Sequence, residues 1–393
     1  MRIEPLTKPP DKTVRVPGSK SYTNRALVCA LLAEGRSVIT GALVSDDTQA
    51  MATAIEALGA RVQWDGTTVT VDGTGGRLPD TADLHVNQAG TAARFLAPVL
   101  ATGRGTYRLD GDEQLRRRPM GPLIEALRSL GVEVREEGEP GHLPITVKGI
   151  GRVPDQPVEV AADVSSQFVS GLLLAGFDVR PSGPVVSAPY IRMTEHVRDT
   201  FGPTFAVEPD ATAASYFYAA GALFDGGRVR VEGLTEQSRQ GDVDFVHDLE
   251  AMNATVTADE QGIEVRGTST PEGNSFDLRD RPDVAQTLAA VAAFAEGTTT
   301  VTGIGFVRHH ETDRIKAVVT ELQRCGIEAT ENDDGFTIVG GNPKPATVQT
   351  YGDHRMAMSF ALIGLKVGIE LDDPGCVAKT FPDYFDVLES LRQ

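Results

Sequence analysis

The stretch Val16–Leu27, VPGSKSYTNRAL, sets a lysine and two hydroxyl residues just ahead of an apolar run of helical spacing. A nucleotide phosphate loop needs G-x-x-x-x-G-K-[ST]. Here Ser19 separates Gly18 from Lys20, and the upstream glycine position falls on Thr13 or Val14. The nucleotide loop is excluded, but an anion site is not, because a helix N-terminus presents free N–H groups and partial positive charge. Polar clusters of the same kind recur before later apolar runs: NQAGTAAR (87–94), LRRRPM (115–120), DVSSQF (163–168), SAPY (187–190), RPD (281–283), HHETDR (309–314), GDHRM (352–356) and AKTFPDYF (378–385). Singly, each reads as a helix cap or a charged turn. Jointly they supply Lys20, Arg25, Arg118, Arg314, Arg355 and Lys379, with Ser165, Ser166 and Ser187. Such a set suits small ligands rich in phosphate or carboxylate, since arginine grips carboxylate with two bonds and lysine acts as a point charge on phosphate. Asp283 and Glu311 are carboxyl groups inside this positive field, suited to general base and acid work.

Other chemistries find no support. The adjacent His309 and His310 have no H-x-x-x-H or His/Cys set beside them, so no metal is expected. No G-x-S-x-G elbow or activated-cysteine motif offers a nucleophile, and no cofactor is expected.

The elements that must position these residues come from a repeat. An apolar helix followed by glycine and a short alternating strand appears six times, as in RALVCALLAEGRSVITG, SYFYAAGALFDGGRVRVEG and RMAMSFALIGLKVGIELDD. Interleaved with it is an amphipathic helix, a small residue and a two-stranded hairpin, as in AIEALGARVQWDGTTVTVDG and ELQRCGIEATENDDGFTIVG. The switch from helical period to alternation, with turn residues between, predicts a βαβαββ-type unit of about 70 residues. Steps between the helix-end residues Gly59, Gly131, Gly202, Asn253 and Gly326 are 72, 71, 51 and 73. The third repeat is therefore short: after HVRDTFG the chain runs straight into PTFAVEPDATAASYF, with no hairpin. Six units predict two α/β domains of three repeats, with a ligand cleft between them.

With 393 residues, 40% apolar and 23% charged, the chain describes a globular protein too long for one ordinary core. No apolar run approaches the ~18 residues of a membrane span, and MRIEPLTKPPDK lacks the apolar centre of a signal peptide. Three scattered cysteines, Cys29, Cys325 and Cys376, fit a disulfide-free cytoplasmic protein. A net charge of −18 opposes general binding to nucleic acid or to acidic lipid.

In chain order, GSKSYTNRAL, AGTAARF, RRRPM, SSQF, SAPY, ETDR, DHRMAM and KTFPDYF resemble the 5-enolpyruvylshikimate-3-phosphate synthase family, from about residue 10 to the C-terminus. The resemblance implies two inside-out α/β domains, a monomer, at 14–210 and at 1–13 with 211–393, joined by crossings near 13–17 and 207–213. It also implies transfer of enolpyruvate from phosphoenolpyruvate to the 5-hydroxyl of shikimate 3-phosphate, on the route to the aromatic amino acids. Shikimate 3-phosphate would be held by Lys20, Ser21, Arg25, Ser165, Ser166, Ser187, Tyr190, Asp283 and His310. Phosphoenolpyruvate would meet Lys20, Gly90, Arg118, Gln167, Arg314, Arg355 and Lys379. Glu311 would be the acid, Asp283 the base, and Lys20 a catalytic cation.

The chain departs from the family pattern at several points. His310 stands where a lysine commonly precedes ETDR, and Phe306 where an asparagine is common; His310 could replace that cation only when protonated. The usual N-A-G-T reads Gln88-Ala89-Gly90-Thr91, and Gln114 occupies a frequent arginine position. Two alternatives remain: a silent anion-binding paralogue, or an enolpyruvyl transferase acting on a UDP-sugar. The second would be expected to carry a reactive cysteine near 110–120, where this chain has GDEQLRRRPM.

Overall fold

A computed structural model describes residues 1–392 and divides into two compact units, 18–208 and 1–17 with 209–393. Each has its own apolar core.

In the unit 18–208 three helices lie innermost: Lys20–Leu32, Gly90–Thr102 and Ser166–Leu174. Their apolar residues are buried nearly all round; in Gly90–Thr102 every residue up to Ala101 is buried. That is what a helix without a polar face must do. The outer helices Asp46–Ala57, Gly121–Ser129 and Ala188–Thr200 bury one side only. Sheets lie outside, so the unit is an inside-out α/β body. Its first sheet orders Thr204–Ala206, Glu34–Thr40, Thr68–Thr74 and Arg61–Asp65. The second orders Thr81–His85, Thr106–Asp110, Ile145–Lys148 and Glu133–Glu136. In both, the first pair is parallel and the rest antiparallel.

The third repeat stops at two parallel strands, Val158–Ala161 and Val179–Ser182. Its cause is visible at the preceding helix ends. Gly59 and Gly131 turn the chain through left-handed conformations, φ +101° and +83°, and a hairpin follows each. Helix Ala188–Thr200 instead ends extended at Phe201, with ψ 131°, and the chain passes directly into strand Thr204–Ala206. The shortened repeat still closes its core, since Phe168, Leu172, Met193 and Val197 are fully buried. Its open strand is four residues long and contains Pro181, which has no N–H to offer a passing strand.

The unit 1–17 with 209–393 repeats the plan. Its inner helices are Ala211–Ala222, Ala285–Ala292 and His354–Val367. Hydroxyls of Ser215, Thr287 and Ser359, one from each helix and 72 residues apart, form a buried chain with 3.3 Å links. Strand Asp11–Val14 completes the first sheet beside Arg228–Glu232, and Arg2–Ile3 pairs with Ile369–Leu371 in the third. Among the described residues no helix is long and apolar enough to cross a membrane, and the three cysteines are unpaired.

Candidate active site

The two units present different chemistry at their helix starts. In the unit 18–208 four helices have serine caps, Ser19, Ser45, Ser165 and Ser187, beside the caps Ala89, Asp112 and Met120. In the other, four starts are capped by carboxylates, Asp210, Asp313, Asp353 and Asp373, each accepting from a first-turn N–H. A serine cap adds no charge at the positive end of the helix dipole, whereas an aspartate neutralises it; behind Ser45 the acids Asp46 and Asp47 do so instead.

Lys20 opens its helix, and its Nζ donates to Asp47 Oδ2 at 3.1 Å, with the Asp47 side chain almost fully buried. Asp47 escaped the sequence reading because two acids at a helix start, as in SDDTQ, serve the dipole anyway. Around Gly90 lie two guanidiniums. A Cβ built at Gly90 would sit 2.6 Å from Arg118 Nη1 and 2.8 Å from Arg94 Nη1, so glycine leaves room for both. Arg94, buried, donates to Gln167 Oε1 at 3.0 Å and to the Pro119 carbonyl at 3.2 Å, while Gln167 Nε2 donates to Thr91 at 3.3 Å. Gly90, Thr91, Arg94, Arg118 and Gln167 are thus one cluster. Arg94 was missed in the sequence although its i+4 spacing from Gly90 puts both on one helix face.

A second cluster surrounds Arg25, which is 2% exposed. Its Nε donates to Thr194 at 2.8 Å, Nη1 to the Ser21 carbonyl at 2.9 Å, and Nη2 to the Tyr190 carbonyl at 3.0 Å and to Ser170 at 3.3 Å. Burial lowers its pKa to about 10. Four of its five donors are engaged, three of them to other helices, which leaves one N–H on Nη1 for a ligand. Ser165 accepts from the Gln167 N–H at 3.3 Å as an N-cap, with Ser166 buried beside it. Ser187 is buried in a left-handed conformation, φ +53°, one turn before Tyr190.

The unit 1–17 with 209–393 gathers residues spaced 70 positions apart. Arg314 is 3% exposed; its Nη1 donates to Asp283 Oδ1 at 3.0 Å, its Nη2 to Glu311 at 2.9 Å, and its Nε to Asp353 Oδ2 at 2.8 Å. Burial alone would lower the Arg314 pKa, but Asp353 and Glu311 outweigh it and hold the group above its ordinary value. Arg355 Nη2 donates to the other oxygen of Asp283 at 2.8 Å. Asp353, wholly buried, also caps helix His354–Val367 by accepting from the Arg355 N–H at 2.9 Å. The DHRM motif therefore contributes Asp353 as well as Arg355, a role hidden by the ordinariness of aspartate at an N-cap. Asp242, fully buried and bonded by the Thr212 hydroxyl, has its pKa pushed up to about 7, by burial first and by Asp283 next. Lys379 is buried at the end of the turn Pro374–Lys379. His310 differs from a lysine substitute: its Nδ1 lies 3.1 Å from Arg314 Nη1. Guanidinium only donates, so a hydrogen bond at this distance requires the imidazole nitrogen to accept.

One unit therefore offers hydroxyl-capped helix starts with lysine and paired arginines, the other carboxylates locked to arginines. The fold is shared with NikO of Streptomyces tendae, an enolpyruvyl transferase, which superposes with TM-score 0.78 at 18% identity, covering 99% of this chain and 96% of that one. EPSP synthase from Acinetobacter baumannii superposes with TM-score 0.80 at 25% identity, over 99% of this chain and 97% of that one. Residues 6–204 and 200–388 match the family described as EPSP synthase (3-phosphoshikimate 1-carboxyvinyltransferase). Relatives named 3-phosphoshikimate 1-carboxyvinyltransferase are 41% identical in Nostoc punctiforme, over 98% of this chain and 97% of that protein, and in Paraburkholderia phymatum, over 97% and 96%. The chain belongs to the EPSP synthase family. The Nostoc comparison spans 415 positions, more than the 393 residues here, so that relative carries residues this chain lacks.

Proposed function

We propose that the protein transfers the enolpyruvyl group of phosphoenolpyruvate to the 5-hydroxyl of shikimate 3-phosphate and releases phosphate, by addition and elimination. What supports this most is the Arg314 cluster: Asp283 and Glu311, the two carboxyls suited to proton transfer, are held by one guanidinium in a chain 41% identical to named 3-phosphoshikimate 1-carboxyvinyltransferases.

In the addition step the 5-hydroxyl oxygen bonds to C2 of phosphoenolpyruvate, its proton passing to Asp283, while Glu311 protonates the methylene carbon. A tetrahedral adduct results. Elimination returns a proton from the new methyl group to the Glu311 carboxylate and expels phosphate, whose charge falls to Lys20, Arg118 and Lys379. Arg355 takes the pyruvyl carboxylate within the field of the buried Arg314 charge, Gly90 and Gln167 line the phosphoenolpyruvate seat, and Arg94 braces Gln167. Ser21, Ser165, Ser166, Ser187 and Tyr190, with the remaining Arg25 donor and His310, hold shikimate 3-phosphate. Both units must serve the same pair of substrates for this assignment to work. Preorganised charges of this sort are worth ~3–4 kcal/mol each, about 10²- to 10³-fold in rate.

A coupled phosphate-release assay tests the reading. Phosphate should appear from phosphoenolpyruvate only with shikimate 3-phosphate present. Release with a UDP-sugar instead would reassign the acceptor, and binding of both substrates without turnover would leave a silent paralogue. Asp283→Asn should keep substrate binding within about tenfold while losing most turnover.

A further inference from the structure

Arg314 has five N–H donors, and each is taken. Asp353 accepts from Nε at 2.8 Å and from Nη2 at 3.4 Å, Glu311 from Nη2 at 2.9 Å, Asp283 from Nη1 at 3.0 Å, and His310 Nδ1 from Nη1 at 3.1 Å. Four acceptors are carboxylate oxygens; the imidazole is the one neutral partner. Its ring is seated by a second contact. Phe306 packs edge-on against it, with centroids 5.9 Å apart at 65°. The loop that bears both rings is itself anchored: Arg308 donates to Asp313 at 3.0 Å, to Glu331 at 2.8 Å and to the Asn332 carbonyl at 2.9 Å.

We infer that His310 is a positioning residue for Arg314: unprotonated and braced by Phe306, it takes the second Nη1 bond and fixes the plane of the guanidinium among Asp283, Glu311 and Asp353. The inference rests on the proposed reaction, in which the charge of that guanidinium faces the carboxylate of phosphoenolpyruvate. A neutral acceptor is the right partner for this corner. A fourth carboxylate would add a negative charge where an anionic substrate must arrive, and a lysine would offer no acceptor. The arrangement is conditional on charge. Protonating Nδ1 removes the acceptor and sets two cations side by side. The other groups of this cluster are Asp283 on the turn Pro282–Val284, Asp353 and Arg355 on helix His354–Val367, and Arg308, His309, Glu311 and Asp313 on the loop itself. Asp283, Glu311 and Asp353 accept from Arg314 or Arg355, and Asp313 from Arg308. Imidazole ordinarily changes charge between about pH 5 and 8, so the guanidinium loses its fifth partner as the medium acidifies.

The test uses the full chain labelled with ¹⁵N-histidine. Two-bond ¹H–¹⁵N correlation spectra identify the His310 signals by their loss in His310→Asn. At pH 7 the ring should be the Nε2–H tautomer; an imidazolium or an Nδ1–H tautomer there overturns the inference whatever the enzyme does. Kinetics then test the consequence. His310→Asn keeps an oxygen acceptor at the place of Nδ1 but does not titrate, so the acid limb of kcat/KM for phosphoenolpyruvate should flatten. His310→Phe keeps a ring against Phe306 and loses the acceptor; it should lie about tenfold below His310→Asn, through KM. Identical pH profiles in wild type and His310→Asn, or equal kcat/KM in the two variants, would defeat the positioning role. Failure of the wild type to release phosphate would instead defeat the proposed reaction, with the tautomer still deciding the place of His310.

Discussion

At the scale of single residues, Gly90 and Asp353 give opposed expectations. Gly90 lies in the first turn of a helix, where alanine is intrinsically better by up to ~1 kcal/mol. The atoms a Cβ would strike are the far ends of Arg94 and Arg118. Gly90→Ala should therefore leave the melting temperature level or slightly raised while displacing both guanidiniums, and KM for phosphoenolpyruvate should rise by about tenfold or more. Steady-state kinetics beside a thermal melt check both halves. Asp353→Asn keeps an oxygen for the Arg355 N–H but leaves Arg314 buried with one carboxylate fewer. Breaking a buried pair by removing one partner costs about 3–5 kcal/mol, so urea unfolding should show a large loss of stability along with lost turnover. These residues also mark what was legible. Lys20, Arg118, Arg314 and Arg355 stand out because cations are scarce at the starts of apolar helices in an acidic chain. Asp47, Arg94 and Asp353 do not, because an acid at a helix start or an arginine within a helix has an ordinary explanation, and only contact with a second segment reveals another.

Helix starts decide the next scale. The serine-capped starts at Ser19 and Ser165 carry no first-turn acid and favour anions, while Asp353 retains an arginine that would otherwise be costly to bury. Three of the four non-glycine residues with positive φ, Asn87, Ser187 and Tyr351, sit at helix starts, where strained backbone is most often kept for function. Asp242 carries a pH consequence. Its folded-state pKa is raised from 3.8 to about 7, so the folded protein holds this proton more tightly than the unfolded chain. Stability from this group is full below about pH 4 and drains away as pH rises towards 7. Asp242→Asn, which can still accept from Thr212, lacks that slope. The melting-temperature difference between variant and wild type should grow in favour of the variant from pH 4 to pH 7.5; a constant difference would mean that Asp242 is an ordinary carboxylate. The repeated helices and hairpins were readable because period and turn chemistry are local. Strands Thr204–Ala206 and Arg2–Ile3 were not, since their partners, Val38–Thr40 and Ile369–Glu370, lie remote in sequence.

Over the whole molecule, the chain is threaded unequally. Residues 18–208 form one unit from a single uninterrupted segment, whereas the other requires both 1–17 and 209–393. A fragment 18–208 should unfold cooperatively in urea, its trimmed third repeat protected by Pro181. A fragment 209–393 should lack the strand partners Asp11–Val14 and Arg2–Ile3, and should recover a cooperative transition when a peptide of residues 1–17 is added. Equal cooperativity with and without the peptide would show that those strands add little.

The threading also has a temporal meaning. On the ribosome strand Arg2–Ile3 emerges long before its partner Ile369–Leu371, so it must stay uncommitted while the inserted segment folds behind it. Half of the proposed machinery is then finished early and half only later, and a protein truncated shortly before Ile369 would hold the whole of the unit 18–208 with no partner for strand Arg2–Ile3.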